Sequence, residues 1–153
     1  MPSISHPETA DILTVPSTEG SDPDPVRRVV LIDSRPERRA VMGVLVDQCP
    51  GLIMVGVAAD LDGAATRIRE QRADVAIVEI QMPVAEGLAT IGALREQFPH
   101  LRIVVCSFHD DAATRQAAEV HGADAYLRKP LSARDLFALT VDPHAPLVGS
   151  TTP

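Results

Sequence analysis

The chain has 153 residues, 45% of them apolar, which is enough for one compact domain with a real core plus tails. It has one Tyr, three Phe and no Trp, so the aromatic platforms that grip single-stranded nucleic acid are poorly supplied. The formal charge of -7 is concentrated in the first 25 residues, which hold Glu8, Asp11, Glu19, Asp22 and Asp24 without any Lys or Arg; the nearly balanced remainder offers no basic face for DNA or an anionic membrane.

Residues 1–26 are rich in Pro, Ser, Thr and acid, a composition that buries too little apolar area to offset chain entropy. A disordered acidic arm is expected there. It has neither a basic leader nor an apolar signal core, and no apolar run in the chain approaches membrane-spanning length, so a cytoplasmic protein is expected. Residues 142–153, with Pro143, Pro146 and Pro153, read as a second disordered tail. The folded domain is placed at 27–141.

Within it, short apolar runs alternate with helical patterns. Val29 to Ile32, Ile53 to Val55, Val75 to Val78, Ile103 to Cys106 and Ala125 to Leu127 are continuous rather than alternating, as strands covered on both faces of a parallel sheet must be. Between and after them, apolar residues recur at helical spacing: Val41, Val44 and Leu45; Leu61, Ala64, Ala65 and Ile68; Leu88, Ile91 and Leu94; Ala113, Ala117 and Ala118; Leu136 and Leu139. Ser34 followed by Glu37, with Pro36 between them, predicts a capping box for the first helix, and Ser132 with Asp135 a weaker one for the fifth. Gly122 predicts a left-handed end to the fourth helix, and Asp110-Asp111 its acidic start. The fold class is therefore α/β, a (βα)5 doubly wound, five-stranded parallel sheet of the flavodoxin type, in which ligands and chemistry gather at the carboxyl ends of the strands.

That topology turns separated residues into one site. Asp33 ends the first strand, Glu79 the third and Ser107 the fourth, while Lys129 and Pro130 follow the fifth. Lys129 is the only lysine beside thirteen arginines, which suggests a compact point charge rather than a solubilising one. Cys49 and Cys106 lie in no CxxC or Cys/His cluster and are expected to be buried free thiols. His6, His100, His109, His121 and His144 have no metal-ligand spacing and are assigned to the surface.

The stretches VVLIDS at 29–34, DVAIVEIQMP at 74–83, IVVCS at 103–107 and GADAYLRKP at 122–130 resemble the response-regulator receiver family, CheY-like, from about Arg28 to Thr140. The resemblance implies a bacterial two-component or phosphorelay module. In that family an acidic pair after the first strand and an aspartate ending the third bind Mg²⁺, and the aspartate accepts a phosphoryl group from a histidine kinase. A Ser or Thr ending the fourth strand and a Lys after the fifth contact that group, an aromatic on the fifth strand moves with the hydroxyl, and a cis proline follows the lysine. The match implies these roles for Asp33, Ser107, Tyr126, Lys129 and Pro130.

Two positions depart from the pattern. Ser34 stands for the second acid, removing a charged oxygen from the Mg²⁺ site, so metal binding by Asp33 and Glu79 should be weak and no cofactor is required. Glu79 stands at the phosphoacceptor position, its extra methylene misplacing the carboxylate for transfer. A carboxylate reaching Lys129 would either imitate the phosphorylated form permanently or form an inert buried pair; both readings stay open here.

The expected function is an atypical, stand-alone, non-enzymatic receiver that acts without phosphorylation. It would contact a protein partner (a kinase, a regulator or a second copy) through the face made by the fourth helix, fifth strand and fifth helix, as the family does. The alternatives are a true phosphoryl acceptor with a weakened Mg²⁺ site, or a small-ligand-sensing pseudo-receiver; no nucleophile-base pair or Gly-rich phosphate loop supports the latter.

Overall fold

The computed structural model describes residues 26–141 except Met82, and the side chains of 139–141 are outside the description. The expected arm (but for Val26) and tail, with His6 and His144, also lie outside the described residues.

Five strands, β1 (Arg27–Ile32), β2 (Leu52–Ala58), β3 (Val75–Glu79), β4 (Arg102–Ser107) and β5 (Ala125–Arg128), alternate with five helices, α1 (Pro36–Asp47), α2 (Leu61–Gln71), α3 (Val84–Gln97), α4 (Ala112–His121) and α5 (Ala133–Val141). The strands form one parallel sheet in the order β2-β1-β3-β4-β5. The expected (βα)5 architecture is the observed one.

The continuous apolar runs fill both faces, as their lack of alternation requires. Val30, Ile32, Ala76, Val78, Ile103 and Val105 face a core completed by Ile68 of α2, Ile91 and Leu94 of α3 and Ala118 of α4. Their neighbours Val29, Leu31, Val75, Ile77, Val104 and Cys106 face Met42 and Val46 of α1 and Leu136 of α5. Each fully buried Val, Leu or Ile contributes about 1.5–3 kcal/mol by leaving water. Both cysteines are buried and free, as expected.

Helix α1 corrects the sequence reading in two ways. Its buried residues are Met42 and Val46, while Val41 and Val44 are 64% and 57% exposed. Leu45 packs partly buried against the core as read, but the main inward stripe is Met42 and Val46 with the half-buried Arg38 one turn earlier, and a hydrophobic pattern could not register its charged first member. Nor is there a Ser34–Glu37 capping box: the N-cap is Arg35, with no side-chain cap, and Asp33 Oδ1 accepts the Arg35 N–H at 2.9 Å instead. The backbone turns on an aspartate two residues earlier, a bond that Asp makes readily in turns. The box read as the weaker one is complete: Asp135 Oδ2 accepts the Ser132 N–H at 2.8 Å and Ser132 Oγ accepts the Asp135 N–H at 3.2 Å.

In α4, Asp111 is the N-cap and accepts the Thr114 N–H at 2.8 Å, whereas Ala113, read as part of the apolar stripe, is exposed. The helix ends on Gly122 at φ 116°, where Arg95 from α3 donates to the Gly122 carbonyl from both Nε (3.1 Å) and Nη2 (2.8 Å). Arg95 Nη1 also donates to the Leu101 carbonyl at 2.7 Å, so its guanidinium ties the ends of α3 and α4 to the start of β4. A Cβ at position 122 would lie 2.7 Å from Arg95 Cγ, and that stem is held by its own head group. Gly122→Ala is expected to cost about 2 kcal/mol, from the left-handed backbone and the displaced Arg95 together. Urea unfolding of the two chains measures it as a lower midpoint at unchanged slope.

Candidate functional site at the carboxyl edge of the sheet

The register brings the predicted residues to one edge of the sheet. Ile32 pairs with Val78, Glu79 with Cys106 and Ser107 with Arg128, so Asp33, Glu79, Ser107 and Lys129 emerge side by side from β1, β3, β4 and β5. Main-chain bonds hold the edge, Asp33 N–H to the Ala58 carbonyl at 3.0 Å and Lys129 N–H to the Ser107 carbonyl at 2.9 Å.

Glu79 is the centre of the arrangement. Its side chain is 2% exposed, and each oxygen meets a cation: Oε2 pairs with Lys129 Nζ, and Oε1 accepts from Arg38 Nη1 at 2.6 Å. The expected reach from Glu79 to Lys129 is thus present, and a second partner from α1 joins it. Phe108, 60% exposed, lies against both cations, its ring centre 5.5 Å from Lys129 Nζ and 6.0 Å from the Arg38 guanidinium carbon. Burial raises the Glu79 pKa above its usual 4.5, and the neighbouring Asp33 carboxyl raises it further, against the lowering influence of Lys129.

Asp33 is 3% exposed; its Oδ1 accepts the Arg35 N–H and, at 3.2 Å, the Gln81 side-chain amide. Ser34 is exposed. Ser107 is fully buried; its hydroxyl donates to the Ile80 carbonyl at 3.0 Å and accepts the His109 N–H at 3.0 Å. Tyr126 is 7% exposed and donates its hydroxyl to the His109 carbonyl, with the Arg115 guanidinium 4.8 Å above its ring. Pro130 follows a cis peptide bond, the form implied by the resemblance. Burial pushes the Cys106 thiol, just behind this edge, up to about 12, so it takes no part as a thiolate.

These residues do not fit a divalent cation. Both Glu79 oxygens are committed to Arg38 and Lys129, Ser34 offers only a neutral hydroxyl, and Asp33 is the one remaining carboxylate of the trio. Among the described residues no group of three or more His, Cys, Asp or Glu could hold a metal ion. A 170 Å³ cleft lined in part by Asp33, Ser34, Asp60, Glu79 and Gln81 opens beside the trio.

The response regulator receiver domain model matches residues 29–140, most of the chain. The chain belongs to the response regulator receiver family. It is 31% identical over 115 residues to a protein-glutamate methylesterase/protein-glutamine glutaminase of Cereibacter sphaeroides, covering 73% of this chain and 31% of that protein. It is also 31% identical over 109 residues to the nitrate/nitrite response regulator NarL of Escherichia coli, covering 71% and 50%. The chain thus spans between about a third and half of the length of these relatives. Among solved structures it is similar to the signal receiver domain of the putative response regulator NarL from Mycobacterium tuberculosis, with TM-score 0.65, 28% identity and coverage of 75% and 92%. No described helix of this receiver is long and apolar enough to cross a membrane.

Sequence reasoning missed Arg38, Phe108 and the second role of Asp33 as the hinge of the β1–α1 turn. The raised Glu79 pKa has a defined sign. Its native form holds a proton more tightly than the unfolded chain, so its contribution to stability is fully present below pH 4.5 and is lost as pH rises through the higher folded value. Urea midpoints taken upward from pH 4.5 should fall for the native chain relative to Glu79→Gln, which has nothing to titrate there.

Proposed function

We propose that this receiver works without phosphoryl transfer to Glu79, the buried carboxylate standing permanently between Lys129 and Arg38 as a partial imitation of the phosphorylated site. One observation carries the reading: both Glu79 oxygens are held by cations inside the protein. In-line attack on a phosphoryl donor needs a carboxylate oxygen with a free approach, and catalysis of the transfer rests on cations that neutralise the incoming charge. Here the cations are already neutralised by the would-be nucleophile. Ser34 and the committed Glu79 also leave Asp33 a poor Mg²⁺ site, which supports the same conclusion.

The inward position of Tyr126 supports a switch held in one state rather than an abandoned one. Its hydroxyl and the Ser107 hydroxyl both engage the His109 backbone, locking the β4–α4 loop over the trio. From that loop the signal passes to a protein partner through the α4–β5–α5 face, where Val120 of α4 and Phe137 of α5 are 77% and 54% exposed. The partner is a signalling protein or a second copy of the chain, and neither DNA nor a membrane.

Acetyl phosphate with Mg²⁺ tests the first half. Intact-mass measurement is expected to show no added phosphoryl group on the native chain; a gain that disappears in Glu79→Gln would restore the phosphoryl-accepting reading. Tyr126 tests the second half, because it is the only Tyr in a chain without Trp, so tyrosine emission reports on that residue alone. Glu79→Gln should change the emission by loosening the loop, and identical emission from the two chains would make the Glu79, Lys129 and Arg38 cluster an inert structural one.

A further inference from the structure

At the opposite edge of the sheet, where the strands begin, lies a 630 Å³ cavity that takes no part in the Glu79 site. Arg27 opens β1 and Arg102 opens β4, both facing it, with Arg69 from the last turn of α2 and His100 from the α3–β4 loop at its sides. Its apolar wall includes Phe98 and Leu101. Three arginines therefore meet in one concavity, in a domain whose body is otherwise close to charge balance.

The lining holds one carboxylate, Asp74, whose Oδ2 accepts the Arg28 N–H at 2.8 Å, against three arginines. Arg27 has no ion pair among the described residues, and its Nε is buried without any hydrogen-bond acceptor. A buried donor left unpaired costs about 1–3 kcal/mol, and more when the group is charged. Nothing in the folding of the sheet requires this, since a neutral residue could begin β1. The cost is offset if an oxyanion supplies the acceptor.

We infer that this cavity is a binding site for a small organic anion, with Arg27 gripping a phosphate or carboxylate and the apolar part of the ligand lying against Phe98. The planar guanidinium matches both oxyanions, which present two coplanar oxygens to its fork. Phe98 supplies a ring with the Arg69 guanidinium carbon 5.6 Å from its centre, so a flat or aliphatic group on the ligand extends an existing stack. The volume lies in the range of small-molecule sites, and the mixture of an apolar wall with a few convergent polar groups is typical of them.

Phenyl phosphate, inorganic phosphate and benzyl alcohol are suitable probes on the full chain. By calorimetry, phenyl phosphate is expected to saturate one site, with inorganic phosphate and benzyl alcohol each weaker by at least about tenfold, the loss of one good contact. Benzoate in place of phenyl phosphate separates the two head groups, the tighter of the pair naming the natural ligand's class. Arg27→Gln should weaken phenyl phosphate by at least about tenfold, whereas Arg134→Gln, removing the same charge from an exposed position on α5, should leave it within about twofold. On the native chain, amide resonances of Arg27, of Phe98 and of residues 100–102 should shift, independently of how any variant folds. Absence of saturation, equal weakening by the two variants, or shifts confined to Glu79 and Lys129 would each overturn the assignment.

Discussion

A carboxylate with almost no access to water can persist at a strand end only if its charge is answered from inside the protein. In this receiver, Glu79 is answered twice, by Lys129 from the end of β5 and by Arg38 from α1. Each of those cations is in turn constrained. The Lys129 backbone is bonded to Ser107, Arg38 is fixed by a helix whose Met42 and Val46 are anchored in the core, and Phe108 lies against both head groups. The pair on its own would do little more than balance its desolvation. What gives it consequence is that Glu79, Lys129 and Arg38 come from three separate elements, so displacing the carboxylate at the end of β3 would disturb α1 and the end of β5 together.

The parallel sheet makes this possible. Its order puts β1 and β4 on either side of β3, and the registers deliver Asp33, Glu79 and Ser107 to adjacent positions with no loop between them. The same geometry creates the opposite edge, where strand starts bring Arg27 and Arg102 toward one cavity. The two ends differ in how charge is treated. At the carboxyl end every cation of the trio faces an internal anion; at the amino end Arg27 faces none among the described residues. The Glu79 charge is answered inside the protein, whereas the Arg27 Nε is left without an acceptor, and that contrast is what the proposed ligand site rests on.

Much of the fold was legible because the property that decides it is local. A run such as Val75 to Val78 is apolar at every position, and only a strand covered on both faces needs that. Gly122 and Asp111 were legible for the same reason, each acting on backbone within four residues of itself. Tertiary demands were harder to see. Ser34 and Glu37 satisfy the capping-box pattern, yet Asp33, oriented by the strand before it, reaches the turn first. The α1 stripe was misphased because its leading member is Arg38, whose burial is driven by Glu79, 41 positions away. Within the candidate site, Glu79 and Lys129 could be paired from topology alone. Arg38 could be found only by asking which residue lies one turn before Met42 on the inward face.

Glu79 lines one cleft with Ser34 and is paired with Arg38, so the environment of each of the three depends on the other two. A carboxylate that waits for a phosphoryl donor is best left with an open oxygen and a metal to share its charge. If the metal is weakened by Ser34, the carboxylate cluster loses a cation, and the electrostatic deficit must be met otherwise. Arg38 meets it with a charge that never dissociates, and the longer Glu79 side chain fits between that fixed cation and Lys129. Restoring aspartate alone would shorten the bridge but leave Arg38 in the pocket and Ser34 beside it. The physical expectation is that substitutions at the three positions are not additive, because each one's environment is set by the other two.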